Sequence, residues 1–290
     1  MDAPSANPPR LPEINDCWLH RHRAHDVPHL LQRWRAVARA ARLDIHVIHE
    51  TGGFPVYLLT TRGVGAGPLY LSTGVHGDEA ASVSGLLEWA ERSIHYLRSA
   101  NAVILPLFNP VGLALNTRAD ADGIDLNRCF DHPTHPHIAG WRLAMIPFVP
   151  RLAVCLHEDY DAQGLYAYEL NGASSPGPAE DCLAAAENII PRDPRRTIEG
   201  RPARAALIRR RRLAMFENLP EAVVLYRRGT PCTLTFETPS EFSLDQRTKA
   251  QIRLLRAVQE WEASASPCDG ICRRRKTHEP VLLQPVVGVS

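Results

Sequence analysis

The sequence predicts an α/β fold, with helices on both faces of a mixed, mostly parallel sheet in three α/β/α layers. Three observations point there. Apolar runs at 69–73 and 102–108 are nearly continuous rather than alternating, as in strands buried on both faces. Segments with apolar residues at helical spacing fall between such runs. The hydrophobic fraction, 44% of 290 residues, supports a sizeable core.

Taken in order, residues 1–15 hold four prolines and few apolar anchors and read as an extended arm. Residues 29–41 carry Leu30, Leu31, Trp34, Val37 and Ala38 on one helical face, with Asp26 and Pro28 as start signals. Residues 43–49 and 54–60 read as strands joined by a Gly52-Gly53 hairpin turn. A turn at 63–68 leads into the central strand 69–73, followed by a helix over 80–97 and the strand 102–108. Residues 109–130 read as a long loop rich in Asn, Asp, Gly and Arg, a length that usually carries function. A helix is expected over 141–150, a strand over 152–156 ending at His157, a strand over 165–170 and a helix over 178–190. The Arg-dense stretch 192–212 shows no clear period. Strands are expected at 222–226 and 233–236, the second ending at Glu237, and a last helix over 244–262. One domain, 16–263, is expected between the arm and a tail, 264–290.

The formal net charge is +1, which argues against nucleic-acid binding or a membrane surface by charge alone. The cations are nearly all Arg, a side chain suited to bidentate binding of carboxylates. Seven scattered cysteines do not form a disulfide framework. No basic-then-apolar leader and no apolar stretch of about 18 residues is present, so a cytoplasmic, non-membrane protein is expected. Cys268, Cys272 and His278 hint at a second zinc, but only three donors are visible, and two free thiols is the simpler reading.

Ligands of open α/β sheets bind at the carboxyl ends of the strands. Three expected strands end in residues able to hold a metal: His76 with Glu79, then His157, then Glu237. Two imidazoles and a carboxylate, with a position left for water, are the donor set of many catalytic zinc sites. The spacing His76-x-x-Glu79 is weak by itself. Gly74 and Gly77 bracket the histidine and allow a sharp turn, and the long loop begins where another buried strand stops.

The order of pieces is more specific. Gly74-Val75-His76-Gly77-Asp78-Glu79 is followed by Asn109-Pro110-Val111-Gly112, Thr117-Arg118 and Gly123-Ile124-Asp125-Leu126-Asn127-Arg128, then by His157 and Thr235-Phe236-Glu237-Thr238. Over residues 69–239 this series resembles the zinc carboxypeptidases of the carboxypeptidase A type. Within them it is similar to bacterial members: murein-peptide amidases, which cut γ-D-glutamyl-diaminopimelate, and the related succinylglutamate desuccinylase and aspartoacylase deacylases. The resemblance implies one Zn²⁺ held by His76, Glu79 and His157. It implies Glu237 as the general base that deprotonates the attacking water and later protonates the leaving amine, and Arg118 as the oxyanion stabiliser. Asn127 and Arg128 would grip the substrate's carboxylate, Arg128 as a two-pronged partner. Asp125 would accept a hydrogen bond from a zinc-bound histidine, His76 for preference. Glu158 and Asp159, which follow His157, could support the metal ligands, or Glu158 could point into the sheet's other face. Tyr166 and Tyr168 are candidates for a substrate-facing tyrosine, with core or pocket wall the simpler reading.

The expected activity is therefore that of a metallocarboxypeptidase or peptide amidase, a hydrolase acting on a peptide beside a free carboxylate. An N-acyl-amino-acid deacylase is the nearest alternative, since such enzymes carry a similar Asp-Leu-Asn-Arg; the fuller run from Asn109 to Ile124 tilts toward peptide cleavage. A catalytically silent peptide- or zinc-binding module is the alternative of another class. Side-chain specificity and oligomeric state are not legible.

Overall fold

A computed structural model describes residues 23–173, 175–211 and 217–264. The N-terminal arm and the Cys268/Cys272 pair lie outside the described residues. Helix α1 (Val27–Ala41) starts where expected: Asp26 accepts from the His29 N–H at 3.0 Å and Pro28 sits in the first turn, where its missing N–H costs nothing. The hairpin of β1 (Asp44–Thr51) and β2 (Phe54–Thr60) turns at Gly52 and Gly53, both at positive φ. Then come β3 (Leu69–Ser72), α2 (Ala80–Arg92), α3 (Ile94–Ser99), β4 (Ala102–Leu105) and α4 (Pro110–Leu115). A 3-10 turn (Leu126–Arg128) precedes α5 (Pro136–Ala144), β5 (Leu152–Asp159), β6 (Tyr166–Asn171) and α6 (Ala179–Ala186). The chain continues with β7 (Thr197–Ile198), β8 (Arg201–Pro202), β9 (Leu207–Arg210), α7 (Glu221–Arg227), β10 (Cys232–Pro239) and α8 (Leu244–Ser264).

Eight strands form one sheet in the order β1-β2-β4-β3-β5-β10-β6-β9. The neighbours β4/β3, β3/β5, β5/β10 and β6/β9 are parallel, whereas β1/β2, β2/β4 and β10/β6 are antiparallel. The mixed, mostly parallel sheet is thus as expected. Each central strand is buried on both faces. Leu69 and Leu71 pack with Trp34, Leu87, Val154 and Leu254 on one side, and Tyr70 packs with Phe130, Trp141 and Leu225 on the other. Helices α1, α2, α3, α6 and α8 cover the first face, and α5 and α7 the second.

Four expectations are corrected. Residues 80–97 form two helices, parted at Ser93, where φ of −114° departs from helical backbone; the bend buries Leu97 and sets Tyr96 edge-on to Trp89 at 6.0 Å. Residues 109–130 contain α4 and the 3-10 turn, because Asn109 caps Gly112 N–H at 2.8 Å and Pro110 opens the helix. The helix expected over 141–150 is α5, which starts earlier, at Pro136. Residues 222–226 form a helix rather than a strand. The short apolar run fits either period, and Pro220 with Glu221 in the first turn decides for the helix. His157 and Glu237 lie two residues before the ends of their strands.

Two close approaches at glycines hold the turn after β3 and helix α2 in place. A Cβ on Gly77 would lie 1.9 Å from the Gly112 carbonyl carbon and 2.3 Å from Leu113 N, so the turn after β3 rests directly on α4. Gly85 of α2 lets Gln251 of α8 approach to a distance at which a Cβ would meet it at 2.4 Å. We expect Gly77→Ala to cost about 1–3 kcal/mol of stability, the usual range for overpacking, in a denaturant melt. Gly65→Ala, with nothing within 4 Å of the added carbon, should leave the midpoint unchanged. Equal effects would contradict this contact.

Candidate metal centre

The adjacent parallel strands β3, β5 and β10 bring their carboxyl ends to one side of the sheet. The chain leaves β3 through Gly74 at φ +66° and places His76 and Glu79 at the entrance to α2. β5 contributes His157, and the β5/β10 register sets Glu237 directly beside it. His76, Glu79 and His157 are each about 3% exposed or less.

The Glu79 carboxylate stands between the two histidines. Its Oε1 meets His76 Nδ1 and its Oε2 meets His157 Nδ1 at 2.9 Å, while the rings lie 5.1 Å apart. One donor atom from each residue falls within 4.8 Å of the others. Both imidazoles present the same nitrogen to one carboxylate, a buried N,N,O set that fits a zinc ion. His76 Nε2 faces Asp125 Oδ1 at 3.1 Å, and Asp125 Oδ2 accepts from Arg118 Nε at 3.0 Å. Arg118 Nη1 also stands 3.9 Å from Glu79 Oε1. The loop residues are therefore brought to the cluster.

Charge follows from this arrangement. Burial alone would depress the His76 pKa, but the Glu79 carboxylate and the hydrogen bonds from Asp125 and Glu79 outweigh it and raise it to about 9. His157 is also raised, as Glu79 overcomes burial. Burial would raise Glu79, yet the two imidazoliums hold it well below the usual carboxylate range. Glu237 moves the other way: burial pushes it well above the ordinary value, and only His157 pulls it down appreciably.

Asn127 and Arg128 line the same cavity of about 510 Å³, a size typical of small-ligand sites. Asn127 Oδ1 accepts from the Glu221 N–H at 3.1 Å, which leaves its Nδ2 donors for a ligand. Arg128 is exposed at the mouth. Tyr166 and Tyr168 are in the wall. Tyr166 donates to Asp159 at 2.9 Å and Tyr168 is held by Glu199. The far wall comes from the stretch after Gly172 and mixes charges: Glu199, Arg201, Arg210 and Glu217.

Of the residues that support the site, Gln251 and Glu221 escaped the sequence reading and Glu158 did not. Glu158 faces away from His157 and accepts from the N–H groups of Ala81 at 2.6 Å and Ser82 at 3.3 Å and from Arg247, so it fixes the first turn of α2 and with it Glu79. Gln251 donates to the His157 carbonyl at 3.0 Å. Glu221 is fully buried and accepts from Tyr70 at 2.5 Å and Ser72 at 2.6 Å. Only strand alternation carried a signal: Glu158 follows His157 and so must face the other side of the sheet.

Comparison with known proteins adds two findings. Residues 66–138 match the family model of the succinylglutamate desuccinylase/aspartoacylase catalytic domain. A provisionally named metallopeptidase from Shewanella amazonensis SB2B superposes with a TM-score of 0.73 at 22% identity, over 82% of this chain and 94% of that one. A metallo-carboxypeptidase from Burkholderia cenocepacia superposes at 0.60 and 15% identity, over 80% and 68%. A Pseudomonas aeruginosa metallo-carboxypeptidase in complex with (2-guanidinoethylmercapto)succinic acid superposes at 0.52 and 15%, over 79% and 68%. No curated protein matches the chain in sequence. The likeness to the solved structures is one of fold. Together with the sequence match it bears out the resemblance to the zinc carboxypeptidases and their desuccinylase/aspartoacylase-related branch.

A divalent metal entering this cluster must displace the proton that Glu79 holds on His76. Below about pH 9 that proton competes, so metal affinity should climb by about tenfold per pH unit for each proton displaced. Chelator competition between pH 6 and 8 measures this. A pH-independent affinity would contradict the assignment of these nitrogens as ligands.

Proposed function

We propose that the chain is a zinc-dependent hydrolase that cleaves an amide bond next to a free carboxylate. The observation that carries this reading is the convergence of His76 Nδ1 and His157 Nδ1 on Glu79, with His76 and Glu79 lining a cavity whose wall also holds Glu237, Arg118, Asn127 and Arg128. Zinc held by the first three residues would polarise the scissile carbonyl and make a neighbouring water acidic.

The remaining work falls to the chain's own groups. Glu237 takes a proton from the attacking water and returns it to the leaving amine. Burial raises its pKa, which makes its carboxylate a stronger proton acceptor than an exposed one. Arg118 sits on the cluster's open side, held by Asp125, and offers its guanidinium to the oxyanion that develops on the carbonyl. Arg128, with Asn127 Nδ2, binds the substrate carboxylate and so sets which bond reaches the centre. Asp125 keeps the His76 ring turned so that Nδ1 faces Glu79.

Peptides with a free carboxylate are the favoured substrates. The cavity is roomy, and its wall includes Glu199, Arg201, Arg210 and Glu217 besides Asn127 and Arg128. The match of residues 66–138 to the desuccinylase/aspartoacylase model favours a second reading, removal of an acyl group from an N-acyl amino acid, at the same centre. A panel of C-terminally free peptides, murein peptides and N-acyl amino acids separates the two.

Glu237→Gln should lower kcat by roughly 10²–10⁴-fold and leave metal content unchanged. Activity equal to wild type on the best substrate of the panel would contradict the mechanism. Arg128→Ala should raise KM for the carboxylate substrate far more than it lowers kcat, and should not affect a substrate whose carboxylate is amidated. A uniform loss of kcat on both would contradict carboxylate binding by Arg128.

A further inference from the structure

A second group of metal-capable side chains lies behind the loop that carries Arg118 and Asp125. Asp120, His135 and His137 place one donor atom each within 4.8 Å of one another. Asp120 and His137 are buried, at 7% and 4% exposure. Asp120 Oδ1 accepts from the N–H groups of Asp122 and Ile124, both at 2.9 Å, which turns Oδ2 toward the histidines; His135 Nε2 stands 3.3 Å from it. His137 Nε2 is buried with no hydrogen-bond partner. His49 on β1 packs its ring 4.3 Å from that of His137.

Such an arrangement is costly without a ligand. A buried polar nitrogen left unpaired costs about 1–3 kcal/mol, and several imidazoles crowded beside a single buried carboxylate cannot all be satisfied by it. Imidazole nitrogens with one carboxylate oxygen are donors for zinc and its first-row neighbours, not for magnesium or calcium. None of Asp120, His135 and His137 lines the cavity that holds Glu237, which suits a structural ion rather than a catalytic one.

We infer that Asp120, His135 and His137 form a second divalent-metal site, of the zinc type, that staples the loop bearing Arg118 and Asp125 to the start of α5. Asp120 belongs to that loop, and His135 and His137 belong to the cap and first turn of α5. The ion would set the loop's distance from the sheet without touching the substrate. Its ligands share no residue with the proposed catalytic centre.

Counting zinc tests this. The full chain carrying Cys268→Ser and Cys272→Ser, which removes the terminal thiols as binders, is stripped with a chelator, re-equilibrated with zinc and desalted. Two equivalents per chain are expected. In that background His76→Ala/His157→Ala should keep one equivalent, and zinc should still raise its Tm; His135→Ala/His137→Ala should also keep one. One equivalent in the parent that vanishes in His76→Ala/His157→Ala overturns the second site. One equivalent that survives there but vanishes in His135→Ala/His137→Ala upholds the second site and overturns the catalytic centre instead. If the His135/His137 variant does not fold, the His76/His157 variant decides alone: one equivalent upholds the site, none overturns it.

Discussion

The structure depends on one buried carboxylate. Glu79 is 2% exposed and lies between two buried imidazoles. An ionised carboxylate in the interior is tolerated only when it is paired and hydrogen-bonded. Here the pairing partners are themselves buried ionisable groups. The three form a unit in which removing any member strands the others, and a divalent cation is the partner that would satisfy all three. The carboxyl ends of three adjacent parallel strands supply the place for it.

Much of the surrounding architecture holds this unit still. Gly77 lets the turn after β3 rest on α4, and Asn109 ties α4 to the far side of the loop through Ala119 O at 3.0 Å. Glu158 with Arg247 pins the first turn of α2, and Gln251 pins the backbone of His157. Asn127 is oriented by the N-terminus of α7, whose Glu221 anchors the opposite face of the sheet through Tyr70 and Ser72. The loop motif thus has two jobs. Its asparagine and glycine build the shelf, its Arg118, Asn127 and Arg128 line the cavity, and Asp125 bridges His76 and Arg118.

The central sheet was legible because buried parallel strands leave uninterrupted apolar runs. The residues at their ends were singled out by the order of distant pieces over residues 69–239 rather than by local spacing, since a polar group after such a run is often an ordinary core residue. Segments that were misread have local signals that competed. Residues 222–226 carry no period long enough to tell helix from strand, and the decision rests on Pro220 and Glu221. Residues 109–130 look like a loop by composition, although Asn109-Pro110 is a helix start. The supporting shell around the site was hidden for a different reason. Gln251 and Glu221 act through partners 13 to 151 residues away, and nothing in their own neighbourhoods records this, whereas alternation along β5 sets Glu158 on the face away from His157. The pair His135 and His137 is visible in the sequence, but its relation to Asp120 and His49 emerges only when α5 is laid against β1, where Gly140 brings the two backbones together.

The central claim is that His76, Glu79 and His157 hold a metal beside Glu237. Anomalous diffraction at the zinc edge, on crystals of the zinc-loaded protein, tests it most directly. The account predicts a peak bounded by His76 Nδ1, the Glu79 carboxylate and His157 Nδ1, with the Glu237 carboxylate facing its open side. A fully zinc-equilibrated crystal with no peak among these three residues would contradict it.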